Sequence, residues 1–215
     1  MKALVISPYD GSVVLEAAST LARVCTEALK KENFEVDTLE GLEAKRKNLP
    51  KNKSYDLILF CGHGEERSLL GSDGRAIFDD ANIDYCEGAV VIAIACKSGK
   101  WLSMSATSKG AIAYFSFRDI CYLPQSSEKH AYMSDFIRTF SVPLLALLEG
   151  YTLHLSLEEF QRLCLEYATK YEEKEYDEYS GIMSSWMRFN SNAAKYEGRP
   201  NATLGEEALV VKWSP

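Results

Sequence analysis

From Ala89 to Ala95, seven apolar residues (AVVIAIA) run without a polar interruption, then stop at Cys96-Lys97-Ser98-Gly99. A run of that kind, bounded by Gly88 and Gly99, fits a strand covered on both faces, as in a parallel sheet. Open parallel sheets bind ligands in the crevice at the carboxyl ends of their strands. Cys96 falls at that end. Taken alone the position is ordinary, because a free cysteine packs as a small hydrophobe.

A second apolar run changes its weight. Tyr55 to Cys61 (YDLILFC) reads as another buried strand and leads directly into Gly62-His63-Gly64. Around these two lie a strand at Lys2–Ser7, a helix at Ser12–Lys31, an edge strand at Phe34–Leu39 and a strand at Gly110–Phe117. Their spacings follow the strand and helix periods. Gly71-Ser72-Asp73-Gly74 predicts a small hairpin over Ser68–Phe78, and Asp79–Glu87 a helical turn. Ser98–Lys109 is polar and reads as a loop able to cover the crevice.

Beyond Pro124 the apolar period becomes helical. Pro143 is expected to kink or restart the first helix there. Ser156 and Glu159 form a capping box for the next. A third covers Ile182–Tyr196, and Ala208–Trp213 reads as a closing strand. The expected fold is α/β: a mostly parallel sheet flanked by helices with a helical C-terminal third, organised as one domain over residues 1–215.

Composition excludes several classes. Lys and Arg total 24 against 31 Asp and Glu, a net charge of −7, which disfavours a phosphate-backbone partner. The triplet Lys45-Arg46-Lys47 reads as a solvated linker. No apolar run reaches bilayer length, and MKALVISPYDG starts as a strand rather than a signal peptide. Six cysteines without a C-x-x-C pair fit a reducing cytoplasm and exclude a zinc ribbon. His63-Gly64-Glu65 lacks the P-C-x-x-C of a zinc deaminase. SPYDGS in the first turn has one glycine, too few for a phosphate loop. No metal or cofactor is expected.

If the two central strands are parallel neighbours, His63 and Cys96 emerge at one edge of the sheet. An imidazole can populate the thiolate that a cysteine nucleophile needs. Gly62 and Gly64 let the backbone approach a substrate. The N–H groups of Gly64 and Cys96 are then candidates for holding an oxyanion. Each half is weak by itself; together they form a nucleophile–base pair.

LILFCGHG followed by VVIAIACKSG resembles the paired signature of clan CD cysteine peptidases, the relatives of caspases, metacaspases, gingipains and separases. Ala95-Cys96-x-Ser98-Gly99 is similar to the cysteine motif of the CHAT group, and the resemblance covers roughly residues 55–171. It implies a caspase-like fold, Cys96 as nucleophile and His63 as its partner in a dyad, with no third residue assigned. Gly64 and Cys96 would supply the oxyanion hole. Metacaspases carry Asp two residues before the cysteine, where this chain has Ile94.

The resemblance also places a specificity pocket near Asp10 and Arg118-Asp119. Two carboxylates there would favour a basic side chain unless Arg118 neutralises one. The plainer alternative makes Asp10 a turn residue and Asp119 a surface ion-pair partner. The implied activity is cleavage of a protein substrate, gated by a regulatory partner, with Ser98–Lys109 as the movable element. Bacterial defence or regulated proteolysis is the implied setting. The alternative is a catalytically silent adaptor of the same fold. Cys61 packs in its strand or lines the crevice, Cys121 lies near the site without a motif, and His130 and His154 read as surface residues.

Overall fold

The computed structural model describes residues 1–11, 14–51, 54–124, 130–173 and 179–204. The chain opens with strand β1 (Lys2–Pro8), helix α1 (Val14–Lys31) and strand β2 (Glu35–Gly41). It continues through β3 (Leu57–Cys61), the antiparallel pair β4 (Ser68–Leu70) and β5 (Ala76–Asp79), and β6 (Val90–Ile94). Helix α2 (Leu102–Ser108) leads to β7 (Ala113–Phe117). Helices α3 (His130–Leu148), α4 (Leu153–Glu173) and α5 (Ser180–Ala193) precede β8 (Ala194–Gly198). The main sheet has the order β2-β1-β3-β6-β7-β8, and every neighbouring pair is parallel except β7–β8. The mostly parallel α/β architecture expected from the apolar runs is therefore present.

Alternation along the strands sorts the core into two layers. Val90, Ile92 and Ile94 face α1 and the C-terminal helices, whereas Val91, Ala93 and Ala95 face α2 and the β4–β5 hairpin. Every residue of β3, β6 and β7 is buried, which explains why β3 and β6 carry apolar side chains on both faces. The larger layer centres on Phe115, Phe117, Phe140 and Phe160, whose rings meet at centroid distances of 5.4 to 5.8 Å. Phe160→Ala leaves a cavity at the middle of this cluster and is expected to cost about 3–5 kcal/mol. Urea unfolding of the variant measures it, and a loss below about 1 kcal/mol would show that the cluster does not hold the helices to the sheet.

Three expectations are corrected and a fourth is narrowed. Ser98–Lys109 is not a loop but contains α2, with Ser98, Leu102, Ser103 and Ala106 buried. Its hydroxyls bond back along the chain, Ser103 to the Gly99 carbonyl and Thr107 to the Ser103 carbonyl. Polar composition therefore conceals a helix. Helix α4 starts before the proposed Ser156–Glu159 box. Thr152 caps it by accepting the Leu155 N–H at 3.2 Å, and Ser156 donates back to the Thr152 carbonyl. Helix α3 runs through Pro143 as one element of 19 residues, without a restart. The third C-terminal helix ends at Ala193, and the chain turns into the antiparallel edge strand β8. The closing strand expected at Ala208–Trp213 lies outside the described residues.

Candidate active site

The central pair β3–β6 sets the geometry. Its register runs from Leu57 opposite Val90 to Cys61 opposite Ile94. The Gly62 N–H extends the ladder by donating to the Ile94 carbonyl at 3.1 Å. Extended two residues beyond that last pair, the same offset would bring His63 level with Cys96 at the carboxyl edge of the sheet. The two sequence motifs thus leave adjacent strands at the same height.

Close approach requires glycine at one point. A Cβ on Gly64 would lie 2.7 Å from the Cys96 carbonyl oxygen and 2.8 Å from the Ala95 Cβ. Gly64 bridges Leu69, with the Leu70 N–H donating to the His63 carbonyl and the Glu65 N–H donating to the Ser68 carbonyl. In a pair of that type the amide of the bridged residue is left out of the ladder. The Gly64 N–H remains a candidate oxyanion donor on that basis. Gly64→Ala forces backbone apart from backbone and is expected to cost about 1–3 kcal/mol. Thermal denaturation reads the loss; an unchanged midpoint would mean that the His63 loop does not bear on Cys96.

The segment after Glu65 is tied to the segment after Cys96. The Glu66 carbonyl accepts the N–H groups of Trp101 and Leu102 at 3.3 and 3.0 Å, satisfying donors that the start of α2 leaves unpaired. Lys100 Nζ pairs with Glu66 Oε1 at 2.7 Å, and the Arg67 guanidinium sits 5.2 Å from the Trp101 ring centroid. Lys97 adopts φ = +58°, a left-handed conformation that turns the chain sharply just after Cys96. The turn is held from β7: the Lys97 N–H donates to the Asp119 carbonyl, and the Gly99 N–H to the Phe117 carbonyl, each at 2.9 Å.

Cys96 is half-buried and its sulfur has a partner that sequence reasoning did not assign. The Cys121 N–H donates to Cys96 Sγ at 3.4 Å, and the two sulfurs lie 4.0 Å apart. The Cys121 thiol hydrogen bond, followed by the Cys121 amide, lowers the Cys96 thiol to about 6 against the opposing effect of burial; Lys97 adds a smaller pull. Cys121 is correspondingly pushed well above the ordinary thiol range by the Cys96 sulfur and by burial. The β6–β7 register brings the sequence only near this contact. Ile92 opposite Phe115 extends to Cys96 opposite Asp119, just short of Cys121.

His63 is half-exposed, and its Nε2 lies 3.7 Å from Asp10 Oδ2. That separation is an ion-pair contact for a protonated imidazole rather than a hydrogen bond. Among the described residues no hydrogen bond joins His63 to Cys96. The expected pocket carboxylates are placed apart in role. Asp10 faces His63, whereas Asp119 accepts the Ile120 N–H on Oδ1 and holds Lys97 through its carbonyl. Arg118 donates to the Asn192 carbonyl at 2.7 Å, so among the described residues it neutralises neither carboxylate. Cys61 is buried in the helix-side core rather than in the crevice. His154 is exposed, 3.3 Å from Glu158. The side chain of His130 lies outside the described residues.

Open grooves occur elsewhere. One of about 820 Å³ lies between α1 and α3, lined by Arg23, Glu27, Lys31, Leu145 and Leu148. It reaches the end of α1, where the chain returns to the start of β2, and so the edge of the sheet opposite Cys96. Among the described residues no group of three or more His, Cys, Asp or Glu side chains is placed to hold a metal. No described helix is long and apolar enough to cross a membrane.

Known structures share this fold. The Arg-specific cysteine proteinase gingipain R superposes with a TM-score of 0.65 at 14% identity, over 94% of this chain and 47% of that one. The complex of Porphyromonas gingivalis RgpB pro- and mature domains matches with a TM-score of 0.61 at 11% identity, over 94% and 48%. The fold is caspase-like. This chain spans about half the length of the solved proteins it matches. At such identities the likeness is one of fold alone. No protein-family model matches the sequence, and no curated protein sequence matches it.

Proposed function

We propose that this chain is a caspase-like cysteine endopeptidase, of the CHAT type and acting as a single domain, in which Cys96 attacks the scissile carbonyl and His63 handles the proton. The observation that carries the reading is the β3–β6 register, which projects His63 opposite Cys96 with Gly64 packed on the Cys96 carbonyl. The Cys96 thiol passes its proton to His63 as the thiolate forms, a step eased because Cys121 lowers the Cys96 thiol. The N–H groups of Gly64 and Cys96 are assigned to the oxyanion. His63, steadied by Asp10, protonates the leaving amine, after which it activates the water that hydrolyses the acyl-enzyme. Asp10 thereby gains an orienting role beside the one first expected, a share in binding a basic substrate side chain, for which Asp119 remains the second carboxylate. No metal or cofactor enters this chemistry.

Gating by a protein partner is part of the proposal. One of the similar structures is a complex of pro- and mature domains, which supports restraint by a separate element. Helix α2 is packed at its core-facing positions, so the movable part is sought outside Ser98–Lys109. A reducing cytoplasm, and a role in bacterial defence or regulated proteolysis, complete the reading.

A second reading has its own support. His63 meets Asp10 and Cys96 meets Cys121, with no bond between the two candidate residues, as a silent adaptor would allow. A peptide-library cleavage profile of the reduced chain, with Cys96→Ala and His63→Ala as blanks, separates the two. Cleavage lost in both variants supports the peptidase. Cleavage equal in all three proteins removes it and leaves the adaptor.

A further inference from the structure

We infer that Cys96 and Cys121 form a reversible oxidation site, in which hydrogen peroxide oxidises Cys96 and Cys121 resolves the product as an intramolecular disulfide. The sulfurs are 4.0 Å apart, about 2 Å beyond a disulfide bond, a gap that side-chain rotation or a small backbone shift can close. Cys121 lies in the stretch that follows β7, outside any strand or helix. Cys25, Cys61, Cys86 and Cys164 are buried, whereas Cys96 and Cys121 are both partly accessible. The pair is therefore the one that a small polar oxidant reaches most readily among the described residues.

The two thiols are also unequal. Cys96 is held toward its thiolate and Cys121 toward its thiol, which fixes which sulfur reacts first. The Cys96 thiolate attacks one peroxide oxygen; an S–O bond forms, the O–O bond breaks and hydroxide leaves. Sulfur is oxidised by two electrons and the peroxide is reduced to the water level, leaving Cys96 as a sulfenic acid. The Cys121 sulfur then attacks the Cys96 sulfur. The S–O bond breaks, the S–S bond forms, and the hydroxyl departs as water with the proton from Cys121. A dithiol reductant returns both thiols. The consequence for activity rests on the peptidase reading, since the disulfide would occupy the nucleophile and shield it from irreversible oxidation.

The test treats the reduced full chain with hydrogen peroxide and maps the products by mass spectrometry under non-reducing conditions. The expected wild-type product has lost two hydrogens and yields a peptide linking Cys96 to Cys121. Dithiothreitol then restores alkylation of Cys96. In Cys121→Ser, whose hydroxyl can donate but not resolve, Cys96 proceeds to sulfinic acid, and the recoverable thiol falls about tenfold. Cys121→Ala serves as a second variant, and circular dichroism checks that each folds. Equal accumulation of sulfinic acid in wild type and variants, or a disulfide from Cys96 to another cysteine, overturns the inference. A peptidase assay on the reduced protein is read separately. A linked peptide together with cleavage that Cys96→Ala leaves unchanged sustains the oxidation site and removes the proposed function; Cys96-dependent cleavage without a linked peptide does the reverse.

Discussion

Cys96→Ala is expected to lower cleavage of whichever peptide the reduced wild-type chain selects by at least about a thousandfold, while leaving the unfolding midpoint nearly unchanged. The size follows from the chemistry. Without the sulfur no acyl-enzyme forms, and only the residual contribution of substrate binding and oxyanion donors survives. The small structural effect follows from the position, half-buried at a strand end rather than inside either core layer. His63→Ala should lose about 10²- to 10⁴-fold, the range for removing a general acid–base group. A Cys96→Ala protein that keeps the wild-type rate would remove Cys96 as the nucleophile whatever His63 does.

The second large effect is in alkylation. With the Cys96 thiol lowered to about 6, its thiolate is the major form above that pH and is lost as pH falls through it. Iodoacetamide labelling of Cys96 should therefore be nearly flat from pH 7 upward and halve near pH 6. At pH 6.5 the thiolate advantage over an unperturbed thiol is partly offset by lower intrinsic nucleophilicity. The net rate is about five- to tenfold above that of a free cysteine. Burial pushes Cys25 and Cys86 up to about 12 and raises Cys61 and Cys164 as well. Those four sites label at least about a hundredfold more slowly at the same pH. Peptide mapping after timed labelling resolves the sites. A Cys96 rate that rises steadily to pH 9 would show that Cys121 does not stabilise its thiolate.

The parallel sheet was legible because the two central strands, covered on both faces, are apolar without a break over Leu57–Phe60 and Ala89–Ala95. YDLILFC and AVVIAIA advertise β3 and β6 without need of context. The expectation that His63 and Cys96 leave the sheet at one edge followed from where those runs stop. Helix α2 was hidden because its serines and threonines bond to their own helix's carbonyls and bury part of a polar sequence. Strand β8 was hidden because AKYEG has no apolar alternation and is defined by pairing with β7 alone. Cys121 was visible as a neighbour but not as a partner. Its contact depends on how the stretch after Phe117 folds back over Cys96, and no periodicity encodes that.

The shared register of β3 and β6 has a consequence in time. Both candidate residues hang from the two innermost strands, flanked by β1 on one side and β7 on the other. A slip of one residue between them would turn each strand's buried set to the wrong face. The pair therefore comes together only when the central sheet is correctly zipped, and comes apart when it opens. An emerging or damaged chain carries the thiol and the imidazole as strangers, so any cutting power belongs to finished molecules alone.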